Sequence, residues 1–422
     1  MSGSYNRTVP RVLLLLPTTT YRTPDFLAAA ERLGFDVTVA SEEASTLEGL
    51  NPAGLLTLDF ENPAAAAERV QEFARRFPID AVVGADDETV IASAAIAKTL
   101  RLPHNPAAAV LAARHKPTMR QRLDEARVPQ PRFQLFSIDE EPSRAAASVS
   151  FPCVLKPTFL AASRGVIRAD DPARFAEAWR RIGKILAAPD VRRHGDPWSR
   201  EILVEEYIPG VELALEGLLR EGELSTLALF DKPDPMEGPF FEETLYVTPS
   251  RLSLEAQTSV RETAARAAAA LGVRHGPVHA ELRITPEGPC VIEVAGRSIG
   301  GLCSRTLRFG TGMSLEELLL KDALGLDVTR EKRESRAAGV LMIPIPGAGR
   351  LEEVRGAGEA RAVPGIEEVT ISAHLGQQLV PLPEGSRYLG FVFARAESPE
   401  RVEAALRAAH RQLEFRIRAE SG

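Results

Sequence analysis

With 422 residues, 44% of them apolar and 26% charged, the chain is long enough for several domains with cores of their own. A net charge of −7 and the absence of any basic run interleaved with aromatics exclude a general nucleic-acid binder. Cys153, Cys290 and Cys303 have neither metal-ligand nor disulfide spacing, no apolar run approaches a membrane span, and Val12 to Leu16 stops at Pro17, too soon for a signal segment; a cytoplasmic, globular α/β protein is expected.

Strand and helix signals alternate at the start. Val12 to Leu16 reads as a buried strand, and Thr23 and Pro24 as the N-cap and first-turn proline of a helix through Leu33. Asp36 to Ala40 and Ile79 to Gly84 read as strands, Pro63 to Phe77 and Glu88 to Leu100 as helices. This order predicts a small parallel sheet with helices on both faces. The loop Pro17-Thr18-Thr19-Thr20-Tyr21 has no glycine, so a dinucleotide fingerprint is absent. Asp86, Asp87 and Glu88 follow a strand, where ligands of such sheets bind, but they suit the first turn of a helix equally well.

The texture changes near Pro103-His104-Asn105-Pro106. Two helices follow, Pro106 to Ala113 and Pro117 to Ala126, then the break Val128-Pro129-Gln130-Pro131. Phe151 to Lys156, Gly165 to Ala169, Glu201 to Tyr207 and Glu212 to Leu219 read as strands, with a helix from Pro172 to Leu186. Lysine is scarce, at seven residues, so each one inside a motif is informative. Lys116 heads a helix and Lys156 ends an apolar strand before Pro157; two lysines entering one site would neutralise phosphates as point charges. Between two strands lies Ala161-Ala162-Ser163-Arg164-Gly165-Val166, either a plain hairpin loop or a lid whose N–H groups and Ser163 hydroxyl fold over phosphates. An apolar strand then runs into Glu205, Glu206 and, past a turn, Glu212. Peptide groups around Glu206 and Ile208 suit the edge of a purine and Glu212 suits ribose hydroxyls, whereas hairpin acids on the solvent side are the competing reading.

Leu254 to Leu271 forms a long alanine-rich helix leading to a hairpin with Glu281 in one strand and Glu293 in the other. Both sit in apolar runs, where an unpaired carboxylate is costly to bury. Two carboxylates side by side on a tight hairpin are how Mg²⁺ is held against a polyphosphate. Arg297 adds a fixed positive charge, and Gly300-Gly301 is expected to open a helix whose free N–H groups favour an anion. Together these features point to phosphoryl transfer. His275, His279, the segment 234–242, Cys303 and Ser304 are further candidates for a substrate pocket, against a packed or capping role for the histidines, a polar loop for the segment and a small core residue for the cysteine. Beyond Arg330-Glu331-Lys332-Arg333 the chain is rich in Gly and Pro, with strands at Ala338 to Ile345 and Tyr388 to Ala394 and a helix from Pro399 to Leu413. This reads as a separate α+β appendage that closes over substrate or forms a homodimer interface.

The ordered set Lys116, Lys156-Pro157, a small-residue loop, Glu205-Glu206-Tyr207-Ile208-Pro209-Gly210-Val211-Glu212, Glu281, Glu293 and Arg297-Ser298-Ile299-Gly300-Gly301 resembles the ATP-grasp superfamily of carboxylate–amine ligases over about residues 1 to 325. The tail resembles the C-terminal domain of the L-amino-acid ligase branch. The resemblance implies an ATP-grasp fold: a parallel-sheet domain (1–113), a lid (114–217), a larger antiparallel-sheet domain with the metal site (218–330) and an appendage (331–422). It implies ATP with Mg²⁺, or Mn²⁺ in its place, and small-molecule acid and amine substrates, with neither nucleic acid nor membrane as partner. By position it implies phosphate contacts for Lys116 and Lys156, lid contacts for Ser163, Arg164 and Gly165, adenine contacts for Glu205, Glu206 and Ile208, ribose for Glu212 and metal for Glu281 and Glu293. Arg297, Gly300 and Gly301 would hold the carboxylate and its oxyanion. Where many members carry asparagine two residues after the second metal glutamate, this chain has Ala295, which removes one oxygen ligand. A carboxylase-type enzyme, a natural-product amide ligase and a silent nucleotide binder are the alternatives.

Overall fold

The computed structural model describes residues 9–191 and 198–419. Its first unit is a parallel sheet in the order Leu55–Thr57, Asp36–Ser41, Arg11–Leu15, Ala81–Gly84. Side chains alternate across a strand, and the apolar run of Arg11–Leu15 feeds both faces. Val12 and Leu14 pack with Phe26 and Ala29 of the helix Thr23–Leu33. Leu13 and Leu15 pack with Val70 of Pro63–Arg76 and Ile96 of Val90–Thr99. Thr23 lies inside its helix rather than capping it; Arg22 is the N-cap and makes no side-chain cap bond. That arginine is instead fully buried, pairing with Glu316 at 2.9 Å and donating to Ser298 at 2.7 Å, which pins this unit to the rest of the chain.

Four antiparallel strands, in the order Phe133–Ser137, Glu201–Glu206, Cys153–Pro157, Ile167–Ala169, form a small second sheet. The helix Pro172–Leu186 covers it with Phe175, Trp179, Ile182 and Leu186, and Asp171 caps that helix by accepting from the Arg174 N–H. The third unit is an eight-stranded sheet in the order Gly288–Ala295, Gly276–Thr285, Val211–Arg220, Glu223–Asp231, Leu245–Thr248, Ala337–Ile343, Gly390–Ala396, Ile366–Ile371. Leu254–Leu271 lies against its first strands through Val260, Ala264, Ala267 and Ala268.

The tail differs from the separate appendage expected. Ala337–Ile343 pairs with Leu245–Thr248, and Gly390–Ala396 and Ile366–Ile371 follow, so the sheet runs unbroken across residue 330. Ala337–Ile343 is buried at every position, which requires cover on both faces and makes it an interior strand. A smaller sheet, Gln378–Leu379, Gly349–Arg355, Glu414–Arg418, completes the tail. Val211–Arg220, divided by the expected boundary at 217, belongs wholly to the large sheet. No helix of the described residues is long and apolar enough to cross a membrane.

Candidate active site

Between the small and large sheets lies a cleft. Lys116, Lys156, Ser163, Glu205, Glu206, Ile208, Glu212, Glu281 and Glu293 all line it. The hairpin register sets Glu281 directly opposite Glu293, with a bulge just after Glu281. Their carboxylates then diverge. Glu293 accepts from Lys116 Nζ at 3.1 Å, and that lysine also donates to the Leu160 carbonyl at 2.8 Å. Glu281 faces Lys232 Nζ at 3.4 Å and His279 Nε2 at 3.5 Å.

Lys232 is the centre of the deeper end. Its ammonium lies 2.8 Å from Glu212 and 2.5 Å from Glu243, and it is 4% exposed. Carboxylate oxygens of Glu212, Glu243 and Glu281 lie within 4.8 Å of one another. Hard oxygens so gathered suit Mg²⁺, and the lysine among them shows that the pocket is built around positive charge. Burial opposes ionisation of Lys232, but the three carboxylates outweigh it and raise its pKa well above the usual value. Burial likewise opposes ionisation of Glu281, and Lys232 and His279 hold its carboxyl well below the ordinary range. For Glu243 burial wins and its carboxyl is pushed up. His279 is disfavoured as a cation by burial, yet bonds to Glu216 and Glu281 bring it up to about 9. Glu216, fully buried, also accepts from the Ile299 N–H and so ties the hairpin to the loop after it.

Three expected roles meet competition. Glu205 is buried between Arg120 and Lys156, each at 2.6 Å, rather than offered to a base. The Glu206 N–H donates to Arg132, the Tyr207 N–H to Pro152, and the Ile208 carbonyl accepts from Arg283 at 2.6 Å. Glu212 accepts from Arg283 at 2.8 Å as well as from Lys232.

Burial alone would raise the Glu205 pKa; Arg120 and Lys156 overcome it and bring the group to about 2 from 4.5. A depressed carboxyl adds stability above its unfolded value and loses it as pH falls through the folded one. Unfolding free energy from urea titrations should therefore fall by about 3 kcal/mol through this group between pH 4.5 and 2. In Glu205→Gln that part of the acid limb should flatten; an unchanged slope would remove Glu205 as its source.

Arg297 stands outside the cleft lining. Its guanidinium forks onto Asp87 at 2.6 and 2.8 Å and donates to the Ser298 carbonyl, not to the hairpin glutamates. Burial raises Asp87, but Arg297 and Arg114 bring it down to about 2. Gly300 and Gly301 do not open an α-helix; only the four-residue 3₁₀ turn Cys303–Thr306 follows, too short to focus charge on an anion. Gly301 is needed for another reason, since it has φ +60° and a Cβ there would meet the Phe391 ring at 3.1 Å. Cys303 is buried against Met342 and Ser304 is fully buried, so both pack in the core. His275 lines a second cavity beside Ala81–Gly84, and in segment 234–242 Met236 and Phe241 reach the cleft while Asp234 pairs with Arg407. Sequence reasoning passed over Lys232, Glu243 and Arg283. The signal for Lys232 was the rarity of lysine itself.

A cleft between two antiparallel sheets, lined by Lys116, Lys156 and the carboxylates of Glu212, Glu281 and Glu293, is the arrangement of the ATP-grasp class. Residues 149–306 match the ATP-grasp domain, 27–104 the ATP-grasp N-terminal domain and 341–418 the L-amino acid ligase C-terminal domain 2. The chain belongs to the ATP-grasp superfamily and carries the C-terminal domain of its L-amino acid ligase branch. Its structure is similar to that of L-amino acid ligase from Bacillus licheniformis, with a TM-score of 0.82 and 28% identity over 98% of this chain and 100% of the other. Carnosine synthase 1 of Gallus gallus is 32% identical over 66% of this chain and 31% of its own length. Alanine–anticapsin ligase of Bacillus subtilis is 26% identical over 60% and 56%. The chain thus spans about a third and about half of these two relatives.

Proposed function

We propose that the protein is an ATP- and Mg²⁺-dependent carboxylate–amine ligase that joins two amino acids and releases ADP and phosphate. The observation that carries this reading is the cross-strand pair Glu281–Glu293 in one cleft with Lys156 and with Lys116, which pairs with Glu293, in a chain that matches an L-amino acid ligase over 98% of its length. A carboxylate oxygen of the first substrate attacks the γ-phosphorus of ATP, and the bond to the β-phosphate oxygen breaks. The amine of the second attacks the carbonyl carbon of the acyl phosphate so formed, phosphate leaves, and the nitrogen gives up a proton.

Little covalent work falls to the chain; its task is position and charge. Glu281 and Glu293, opposite one another on paired strands, are the residues to hold Mg²⁺, and carboxylate oxygens of Glu212 and Glu243 lie within 4.8 Å of Glu281. When bound, the metal neutralises phosphate oxygens. Lys116, beside Glu293, and Lys156, on the small sheet, place two further positive charges in the same cleft. Ser163 and its neighbours cover the phosphates and keep water from the acyl phosphate. Arg297, anchored by Asp87, is the group to hold the reacting carboxylate.

Phosphate release from ATP and Mg²⁺ over all pairs of the standard amino acids, with mass spectra of the active wells, tests the reading. Release accompanied by a new dipeptide mass is expected in a restricted set of pairs. Nucleotide binding with silence in every well would overturn amino-acid ligation and favour an acid substrate of another kind or a silent nucleotide binder, which Ala295 would suit.

A further inference from the structure

The phosphate lid is held by the far end of the chain. Gly165 N–H donates to the Pro383 carbonyl at 2.9 Å, and Arg164 Nε donates to the Glu384 carbonyl at 2.8 Å. From the helix behind the lid, Arg181 forks onto the Glu384 carboxylate at 2.5 and 2.9 Å and lies over the Phe240 ring at 4.8 Å. The other flank of the lid is tied to the large domain, where Arg168 N–H donates to Pro239 and Ile167 bridges Phe240. Ala162 and Ser163, at φ +52° and +56°, hold a left-handed backbone that side chains rarely adopt, so the loop keeps its shape only while its surroundings impose it. Pro383 and Glu384 lie between Gln378–Leu379 and Gly390–Ala396 of the C-terminal domain and contribute nothing to the cleft itself.

We propose that Glu384, with the Pro383 carbonyl, is a latch by which the C-terminal domain holds the phosphate lid shut, making Glu384 a positioning residue that sets how long nucleotide and acyl phosphate stay shielded from water. The proposal rests on the ligase reading above. A lid must open in every cycle to admit ATP and release ADP. The fork between Arg181 and Glu384 suits that need: it is directional, yet 37% and 41% exposed, so water competes for both partners and the contact breaks easily. A fully buried pair in its place would lock the lid. The latch also gives the tail a task inside the catalytic cycle, although none of its described residues lines the cleft.

The test is the dissociation rate of a fluorescent ADP from the full chain with Mg²⁺, followed by stopped flow, together with the ratio of phosphate released to amide formed. Glu384→Ala should release ADP about five times faster, in line with the loss of a partly exposed ion pair. More phosphate should be lost per amide as water reaches the acyl phosphate. Glu384→Gln should fall between, and Arg181→Glu combined with Glu384→Arg should restore slow release. A purely structural glutamate would change the melting midpoint and leave release and coupling alone, and that result in both single variants overturns the latch. Failure of the wild type to bind ADP would overturn the ligase reading and the latch with it. Binding without amide formation leaves the release arm to decide the latch by itself.

Discussion

Glu293→Ala is expected to lose turnover by at least ~100-fold while the protein keeps its fold. The side chain is about one-third exposed, and the partner it leaves, Lys116, keeps the Leu160 carbonyl at 2.8 Å. Its packing contribution is small, because Val291 and Val294 on the same strand carry the apolar contacts. Lys116 is only 6% exposed, so loss of this half-buried pair costs about 1–3 kcal/mol, and the melting midpoint should fall by several degrees without loss of the fold. Activity should recover in part at high Mg²⁺ if Glu281 still binds the ion. Near-normal turnover in this variant would sink the metal assignment, and a collapsed melting transition would recast Glu293 as a structural partner of Lys116.

Arg297→Lys should cut kcat/KM for the acid substrate by roughly 100- to 1000-fold and change ATP affinity less than about threefold. Lysine keeps the charge beside Asp87 but cannot fork, so the variant separates geometry from charge. Alanine would be the poorer choice, because it strands Asp87, which is 16% exposed and held ionised by this arginine. Binding of ATP by calorimetry beside steady-state kinetics reads both quantities. Equal losses in both would mean that Arg297 only fastens the hairpin loop to the parallel-sheet domain.

Much of the architecture is legible in the residues. The helices Thr23–Leu33, Pro172–Leu186 and Leu254–Leu271 have the ends that their prolines, Ser253 and Gly272 dictate. The Glu281–Glu293 opposition follows from a hairpin with a short turn. Partners distant in sequence were not legible. Whether Asp87 caps a helix or serves the site depends on Arg297, and nothing local to either reveals the pairing. Lys232 needed three carboxylates, two from separate strands and one from the loop before Leu245–Thr248, before its meaning showed. Glycines 300 and 301 were misread because a glycine pair before a polar stretch fits a helix start, while the constraint came from Phe391 in the tail. The Gly and Pro content of the tail suggests detachment, although Ala337-Ala338-Gly339-Val340-Leu341-Met342-Ile343 has the unbroken apolar texture of a strand covered on both faces.

The continuous sheet bears on how the protein is made. Synthesis runs from the N-terminus, and every residue lining the cleft has been added by Glu293. At that stage Leu245–Thr248, buried at all its positions in the finished protein, lacks the neighbour Ala337–Ile343 and stands as a bare apolar edge. The nascent chain therefore carries every cleft-lining side chain on an incomplete support. Emergence of the tail from the ribosome becomes the step that both covers this apolar edge and brings Pro383 and Glu384 to the loop that carries Arg164 and Gly165.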